Sequence, residues 1–174
     1  MSLVQENKVY YLRENTTGAE DRGCLFRYRT DSDGFVFFFE VQDEDMISPF
    51  TADNEDIWKG DAVEVFLSPD GNLSRYTEIE VSPFGVRFHA QITNEKGKPL
   101  QVCKTGPDFS AEVSGTQQGY QVTVRLSYAS LAGYDREKMK MNAFRLDRKA
   151  DGRQLLYALS PTLCDSFHHP EFFL

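Results

Sequence analysis

The strongest constraint on the fold is a repeated alternation of apolar and polar residues along short stretches of the chain. Successive side chains of a β-strand point to opposite faces, so a period of two residues with one apolar face indicates a half-buried strand. Five stretches follow this pattern, at residues 35–41, 63–67, 77–81, 86–92 and 122–126. Further strand-like stretches lie at residues 9–12, 24–29, 109–113, 144–146 and 155–159.

Turn-forming residues separate these strands. Clusters of Gly, Pro, Asp and Ser occur at residues 31–34, 69–71, 82–85, 96–99 and 118–119. Many short strands with turns at roughly ten-residue spacing are typical of an antiparallel sandwich. One short helix is predicted at residues 127–131, with Ser127 as its N-cap. The sequence therefore predicts an all-β fold, a single-domain antiparallel β-sandwich of immunoglobulin or jelly-roll type over residues 1–174.

The composition narrows the range of partners. The chain has 174 residues, which suits one domain, and 19 Lys and Arg against 27 Asp and Glu give a net charge of −8. An acidic surface repels nucleic acids and anionic membranes. The longest apolar run, residues 35–39, has the length of a strand and is too short for a membrane helix. We therefore expect neither a nucleic-acid nor a membrane partner.

The stretch 42–60 is predicted to be a long functional loop, because loops of this length are uncommon inside compact β domains. It contains the only tryptophan, Trp58, and many carboxylates. Ca²⁺ takes six to eight oxygen ligands, and the loop offers them at Asp43, Asp45, Asp53 and Asp56. The spacing differs from that of an EF-hand, and a solvated acidic loop without metal is an equal alternative. Asp61, just after the loop, could bond the loop backbone instead.

Two motifs carry a family resemblance. Residues 58–66 follow the pattern W-x-x-D-x-V-E-x-F and precede an aromatic strand that ends near S-P-x-G at residues 82–85. The chain then closes with S-P at residues 160–161 and F-H-x-P-E-x-F at residues 167–173. Together these motifs resemble the family 9 carbohydrate-binding modules and their family 9-like relatives, over about residues 35–173.

The resemblance implies a β-sandwich that binds a saccharide or polysaccharide without catalysis, usually with structural calcium. Such modules commonly accompany catalytic domains, so a catalytic partner protein is implied as well, and we expect a monomer. Many relatives are secreted, whereas no signal peptide is visible after Met1. The compartment therefore stays open: cytoplasmic if this N-terminus is natural, secreted as in many relatives otherwise.

The resemblance also implies the roles of particular residues. Trp58 would stack on a sugar ring, whose apolar C–H face suits an indole, and Glu64 would accept hydrogen bonds from hydroxyls. Glu78 stands where the sugar binders tend to offer an arginine, and no second tryptophan completes a clamp. The remaining candidates share a predicted position on the face of Glu64 or within reach of it: Tyr76, Glu78, Arg87, His89, Arg125 and His168.

Other functions remain open. Glu64, Glu78 and Glu80 alternate outward, so a glycoside-processing enzyme with paired carboxylates is one alternative. A degenerate module that serves only as an interaction or structural domain is another. Two further metal hypotheses are a zinc site among Cys164, His168, His169 and Glu171, and a haem held between Met46 and His89.

Overall fold

Two antiparallel sheets form the protein in a computed structural model that describes residues 4–174. The strands, in chain order, are β1 Tyr10–Tyr11, β2 Arg13–Glu14, β3 Cys24–Thr30, β4 Gly34–Gln42, β5 Ala62–Ser68, β6 Arg75–Val81, β7 Arg87–Thr93, β8 Gln101–Cys103, β9 Phe109–Gly115, β10 Gly119–Ser127, β11 Lys140–Arg148 and β12 Gln154–Ala158. Short 3-10 helices occur at Ile57–Lys59, Tyr128–Ser130 and Pro170–Phe172. The predicted all-β sandwich is confirmed.

The two sheets have five and seven strands. Their orders are β1-β3-β4-β10-β9 and β2-β12-β11-β5-β6-β7-β8, and each neighbouring pair is antiparallel. The chain passes from one sheet to the other between β1 and β2, and Leu12 is fully buried at the crossing. No helix among residues 4–174 is long and apolar enough to cross a membrane.

The core between the sheets follows the alternation in the sequence. Phe35, Phe37 and Phe39 of β4 are buried in one cluster with Val63 and Val65 of β5. Burial of each such side chain is worth about 1.5–3 kcal/mol, so this layer provides much of the driving force for folding. The predicted turn of helix is also present, and the Ser127 hydroxyl accepts a hydrogen bond from the Ala129 N–H at 3.2 Å.

A second apolar cluster covers the outer face of the seven-stranded sheet. Phe66, Phe88 and Phe144 of that sheet pack with Phe167 and Phe173 from the tail, residues 159–174. All seven residues of β5 are consequently buried, because both faces of this strand are covered. The outer face is therefore a second interior, a feature that alternation alone does not predict.

Asp61 holds the long loop against the sheet. Its carboxylate accepts hydrogen bonds from the backbone N–H groups of Ile47 and Arg148, which joins the loop to β11. This confirms the prediction that Asp61 bonds the loop backbone. At Gly60 a Cβ atom would lie 2.7 Å from the Ile47 carbonyl oxygen, so the close approach of the loop requires glycine. The loop consequently returns to β5 with Trp58 at a defined place beside the sheet.

Candidate functional site

A pocket of about 240 Å³ lies on the outer face of the seven-stranded sheet. Its floor contains Glu64 and Phe66 of β5 and Glu78 of β6. Trp58 from the loop stands on one side, and His168 from the tail lies on another. The pocket thus combines three separate parts of the chain.

Strand register brings three carboxyl groups to this face. Glu64 is directly opposite Glu80, and Phe66 is opposite Glu78, so all four side chains share one side of the sheet. The exposed fractions of Glu64, Glu78 and Glu80 are 2%, 6% and 0%. We call these three residues the glutamate cluster.

The glutamate cluster has no countercharge. Among the residues described, none of those that line the pocket is a lysine or an arginine. Burial raises the pKa of all three carboxyl groups, that of Glu64 and Glu80 far above the usual range, and charge repulsion within the cluster adds to this for Glu64 and Glu80. Neither oxygen of Glu80 accepts a hydrogen bond from another described residue. A hydrogen bond between the Glu78 and Glu80 side chains requires one of the two carboxyl groups to be protonated, because an ionised carboxylate only accepts. Burial and the lack of a cation in the described lining therefore favour the protonated form of these carboxyl groups.

Trp58 forms an aromatic wall of the pocket. It is half-buried, and its ring meets Phe88 edge to face, with centroids 5.2 Å apart. Its carbonyl oxygen accepts a hydrogen bond from Gln154 at 2.7 Å, which ties the loop to β12. Lys59 and Lys104 approach the indole, with each Nζ within 5.7 Å of the ring centroid, and each also binds Asp56 at 2.8 Å. The indole therefore faces the pocket while the two nearby cations are already paired.

His168 is held as a neutral imidazole. Its Nδ1 lies 2.9 Å from the Tyr76 hydroxyl, and its Nε2 lies 4.0 Å from Glu78. Burial, together with the neighbouring His169, lowers the pKa of His168 to about 4. Asn94 donates to the Tyr76 hydroxyl at 3.3 Å, which leaves the hydroxyl proton available for donation to Nδ1 in the tautomer that is protonated at Nε2. The imidazole proton then sits on Nε2, on the side of Glu78.

Three predicted contacts lie elsewhere, and the expectation that they share the face of Glu64 is wrong. Arg87 and His89 are opposite Val81 and Ile79, which face the core between the sheets. The apolar face of β7 turns outward to the second cluster, so its polar residues point the other way. Arg125 belongs to the five-stranded sheet, where its neighbours in β10 point inward and its own side chain points away from the core.

The predicted calcium ligands separate into different environments. Asp45 is exposed, Asp53 pairs with Arg87 at 2.7 Å, and Asp56 pairs with the two lysines near Trp58. Asp43 instead turns inward. These four residues therefore do not form one site, and this expectation is corrected.

Asp43 meets two other acids that the sequence did not single out as metal ligands. Within residues 4–174, Asp43, Asp61 and Asp147 are the group of candidate ligands whose atoms lie within 4.8 Å of one another. We call this group the aspartate cluster. Segment 164–171 forms no such group, and His169 pairs with Glu171 at 3.1 Å, so the zinc hypothesis gains no support. The His89 ring lies 3.0 Å from the Pro107 carbonyl oxygen, and Met46 is exposed in the loop.

The aspartate cluster is buried next to cations. Arg145 Nη2 lies 3.4 Å from Asp43 and 3.3 Å from Asp147, and Lys149 Nζ lies 2.8 Å from Asp147. Burial and the two neighbouring aspartates raise the pKa of Asp61 to about 6. Oδ2 of Asp43 and Oδ1 of Asp147 accept no hydrogen bond from the described residues. Asp147 could have been suspected because R-L-D in β11 places a second charge two residues from Arg145, on the same face.

A two-sheet sandwich with an aromatic and carboxyl-lined pocket on one outer face has the architecture of a small-ligand binding module. The chain belongs to the Carbohydrate family 9 binding domain-like family, whose model matches residues 4–173. The resemblance inferred from the motifs is thereby confirmed. No curated protein sequence matches the chain.

Solved structures share the fold at low sequence identity. A candidate carbohydrate-binding protein from Bacteroides uniformis ATCC 8492 has a TM-score of 0.70 at 14% identity, covering 95% of this chain and 84% of that one. A family 9 module from Caldicellulosiruptor kristjanssonii in complex with cellotriose has a TM-score of 0.67 at 14% identity, with coverage of 99% and 87%. A family 9 module from the same organism with glucose has a TM-score of 0.60 at 16% identity, with coverage of 94% and 81%.

Proposed function

We propose that the chain binds a saccharide without catalysis, in the pocket between Trp58 and His168. The observation that carries this proposal is the combination of a half-buried indole and buried carboxyl groups in one cavity. Family membership and the sugar complexes of the similar modules support it. The cavity is smaller than the roughly 300–1,000 Å³ of drug-sized sites, so it suits a single sugar ring.

Each wall of the pocket would make a different kind of contact. The indole of Trp58 would pack against the C–H groups of the ring. A carboxylate accepts hydrogen bonds and a protonated carboxyl also donates one, so Glu64 and Glu78 can serve hydroxyls in both ways. His168 would donate from Nε2. Residues buried in this manner are already positioned, which reduces the entropy that binding costs.

The alternative of a glycoside-processing enzyme receives less support from the site. Such enzymes hold one carboxyl ionised and a second protonated at a fixed separation. In the glutamate cluster the pKa of all three groups is raised, and no cation among the lining residues described keeps one of them ionised. A binding role needs no such division between the carboxyls.

Titration of the Trp58 fluorescence with glucose, cellotriose and other sugars tests the proposal. We expect one sugar site per chain and a monomeric protein. We also expect no release of product from a chromogenic glycoside. Trp58→Ala should weaken binding about tenfold, measured by calorimetry, because the stacking contact is lost. Phe84→Ala is the matched control, since Phe84 is 60% exposed in the turn after β6. Failure of every sugar in the panel to bind would refute the proposal.

We further propose that the aspartate cluster holds a Ca²⁺ ion. Its three carboxylates, with two buried oxygens that accept no hydrogen bond from the described residues, fit a hard cation. Asp43, Asp61 and Asp147 would supply the ligands, and the bound ion would neutralise the loop where it meets β11. The loop carries Trp58, so the metal would act on the pocket by ordering its wall. We also propose that the chain associates with a catalytic partner protein, which the bound saccharide would bring close to its substrate.

A further inference from the structure

The glutamate cluster is an unusual floor for a pocket that binds neutral sugars. An ionised carboxylate is costly to bury unless a cation or several hydrogen bonds compensate it. The structure compensates the aspartate cluster with Arg145 and Lys149. It offers the glutamate cluster nothing comparable, although Glu64 and Glu78 both border an accessible cavity.

We propose that the preferred ligand is an amino sugar with a free ammonium group, such as a glucosamine unit, whose ammonium lies against Glu64 and Glu78. This rests on the proposed function and names the sugar class that it would take. The ligand supplies a cation that the described lining of the pocket does not provide. Charge-assisted hydrogen bonds from an ammonium to a carboxylate are about twice as strong as neutral ones, and they are strongest where water is excluded.

Charges around the pocket favour a cation overall. Asp165 also lines the cavity, in addition to Glu64 and Glu78, and Glu80 lies directly below. His168 is neutral above its pKa of about 4, so it adds no positive charge under ordinary conditions. The titratable groups among the described residues that line the cavity are therefore acidic or neutral.

Two lysines lie near the aromatic wall but are not among the residues that line the cavity. Lys104 Nζ is 5.4 Å from the centroid of Trp58 and 5.5 Å from that of Phe88. Lys104 and Lys59 both pair with Asp56, so one carboxylate offsets one of the two positive charges, and the pairing holds both ammonium groups at the rim beside Asp56. The ammonium of a ligand is therefore expected on the side of Glu64 and Glu78, away from these lysines.

The protonation of the cluster gives the inference a signature that neutral sugars lack. An entering ammonium favours the ionised carboxylates, so binding should release protons from Glu64, Glu78 or Glu80. By linkage, affinity should rise with pH while these groups lose their protons, and then fall when the amine itself becomes neutral. Tyr76 stays protonated throughout, since burial raises its pKa further.

Calorimetry with three monosaccharides tests the proposal: glucosamine, N-acetylglucosamine and glucose. N-acetylation removes the charge and retains the nitrogen. We expect glucosamine to bind on the order of tenfold to a hundredfold more tightly than the other two. Measurement in buffers of different ionisation enthalpy should show proton release for glucosamine alone.

Matched variants identify the groups responsible. Glu78→Gln and Glu64→Gln keep the shape of the side chain and should each remove most of the preference for glucosamine. Glu112→Gln removes the same charge from an exposed position on β9, in the other sheet, and should leave the preference intact. The melting temperature of each variant shows whether it is folded, and the second variant serves if the first is not.

The outcomes separate this inference from the proposed function. Equal affinity for glucose and glucosamine, or a preference for glucosamine that survives both Gln variants, would overturn the inference and leave saccharide binding intact. Absence of binding to any of the sugars, including cellotriose, would overturn both.

Discussion

The molecule contains two buried acidic clusters that differ in how their charge is compensated. The aspartate cluster lies where the long loop meets β11, and Arg145 and Lys149 contact it within 3.4 Å. Glu64 and Glu78 of the glutamate cluster line the pocket, whose described lining includes no lysine or arginine. The difference indicates two roles. Carboxylates paired with buried cations depend on those cations to stay in the folded interior, whereas uncompensated ones beside a cavity cost stability and are suited to a cationic organic ligand.

Removal of the arginine should produce the largest effect. Arg145→Met would leave Asp43 and Asp147 buried without their principal partner, and we expect a loss of about 3–5 kcal/mol in the free energy of unfolding, measured with urea. Arg125→Met is the matched control, because Arg125 is exposed on the other sheet, and it should change stability by less than about 0.5 kcal/mol. A loss below about 1 kcal/mol for Arg145→Met would show that the aspartate cluster is not stabilised by its cations.

Calcium should give the next largest effect, and it should act on the aspartate cluster alone. At a concentration one hundred times its Kd, an ion that binds only the folded chain adds about 2.7 kcal/mol of stability, visible as a higher Tm. Asp61 has a pKa of about 6 and must be ionised to bind, so the shift should be larger at pH 7 than at pH 5.

Two variants localise the calcium effect. Asp147→Asn should abolish the shift in Tm, while Asp53→Asn should retain it, because Asp53 pairs with Arg87 away from the cluster. An unchanged Tm of the original protein with calcium, or an equal shift in both variants, would contradict the site.

The smallest effect should be a gain in the free energy of unfolding when one carboxyl group of the glutamate cluster is replaced by a neutral amide. Glu80 has a folded pKa well above 4.5, so its contribution to stability is present below about pH 4.5 and is lost as pH rises through the folded pKa. Glu80→Gln removes this loss, and its amide can donate to the neighbouring carboxyls. We expect about 1–2 kcal/mol more stability at pH 8 and no gain at pH 4.

Urea unfolding at the two pH values measures this gain, with Glu112→Gln as the exposed control. A variant that is less stable than the original protein at pH 8 would mean that Glu80 is compensated by a partner, which would weaken the contrast between the clusters.

Alternation in the sequence predicts one side of the sandwich well. The alternate apolar residues of β4 and β5 point inward as expected, and Glu64 points outward; the inward residues are Phe35, Phe37, Phe39, Val63, Val65 and Leu67. The burial of that outward face was not predictable from a period of two residues. It depends on a tail about one hundred residues further along the chain, whose Phe167 and Phe173 pack over the sheet.

The failures at the site have a related physical cause. In β7 the apolar residues face the second cluster on the outer side of the sheet, where Phe88 packs. The polar residues therefore face the other side, and Arg87 pairs there with Asp53. Alternation shows which residues of a strand share a face. It does not show which side of the sheet that face covers when both sides are buried. Likewise Asp147 approaches Asp61 because β11 pairs with β5, and Asp43 joins them from the end of β4, a long-range arrangement that local sequence does not contain.

The crossing between β1 and β2 has a mechanical consequence. Residues 10–14 hydrogen-bond to the edge of one sheet through β3 and to the edge of the other through β12, with Leu12 buried between them. This short segment therefore links the two sheets through backbone hydrogen bonds. A pulling force along the segment would load the hydrogen bonds from β1 to β3 and from β2 to β12 at the same time. The segment would then resist the force until both sets of hydrogen bonds break.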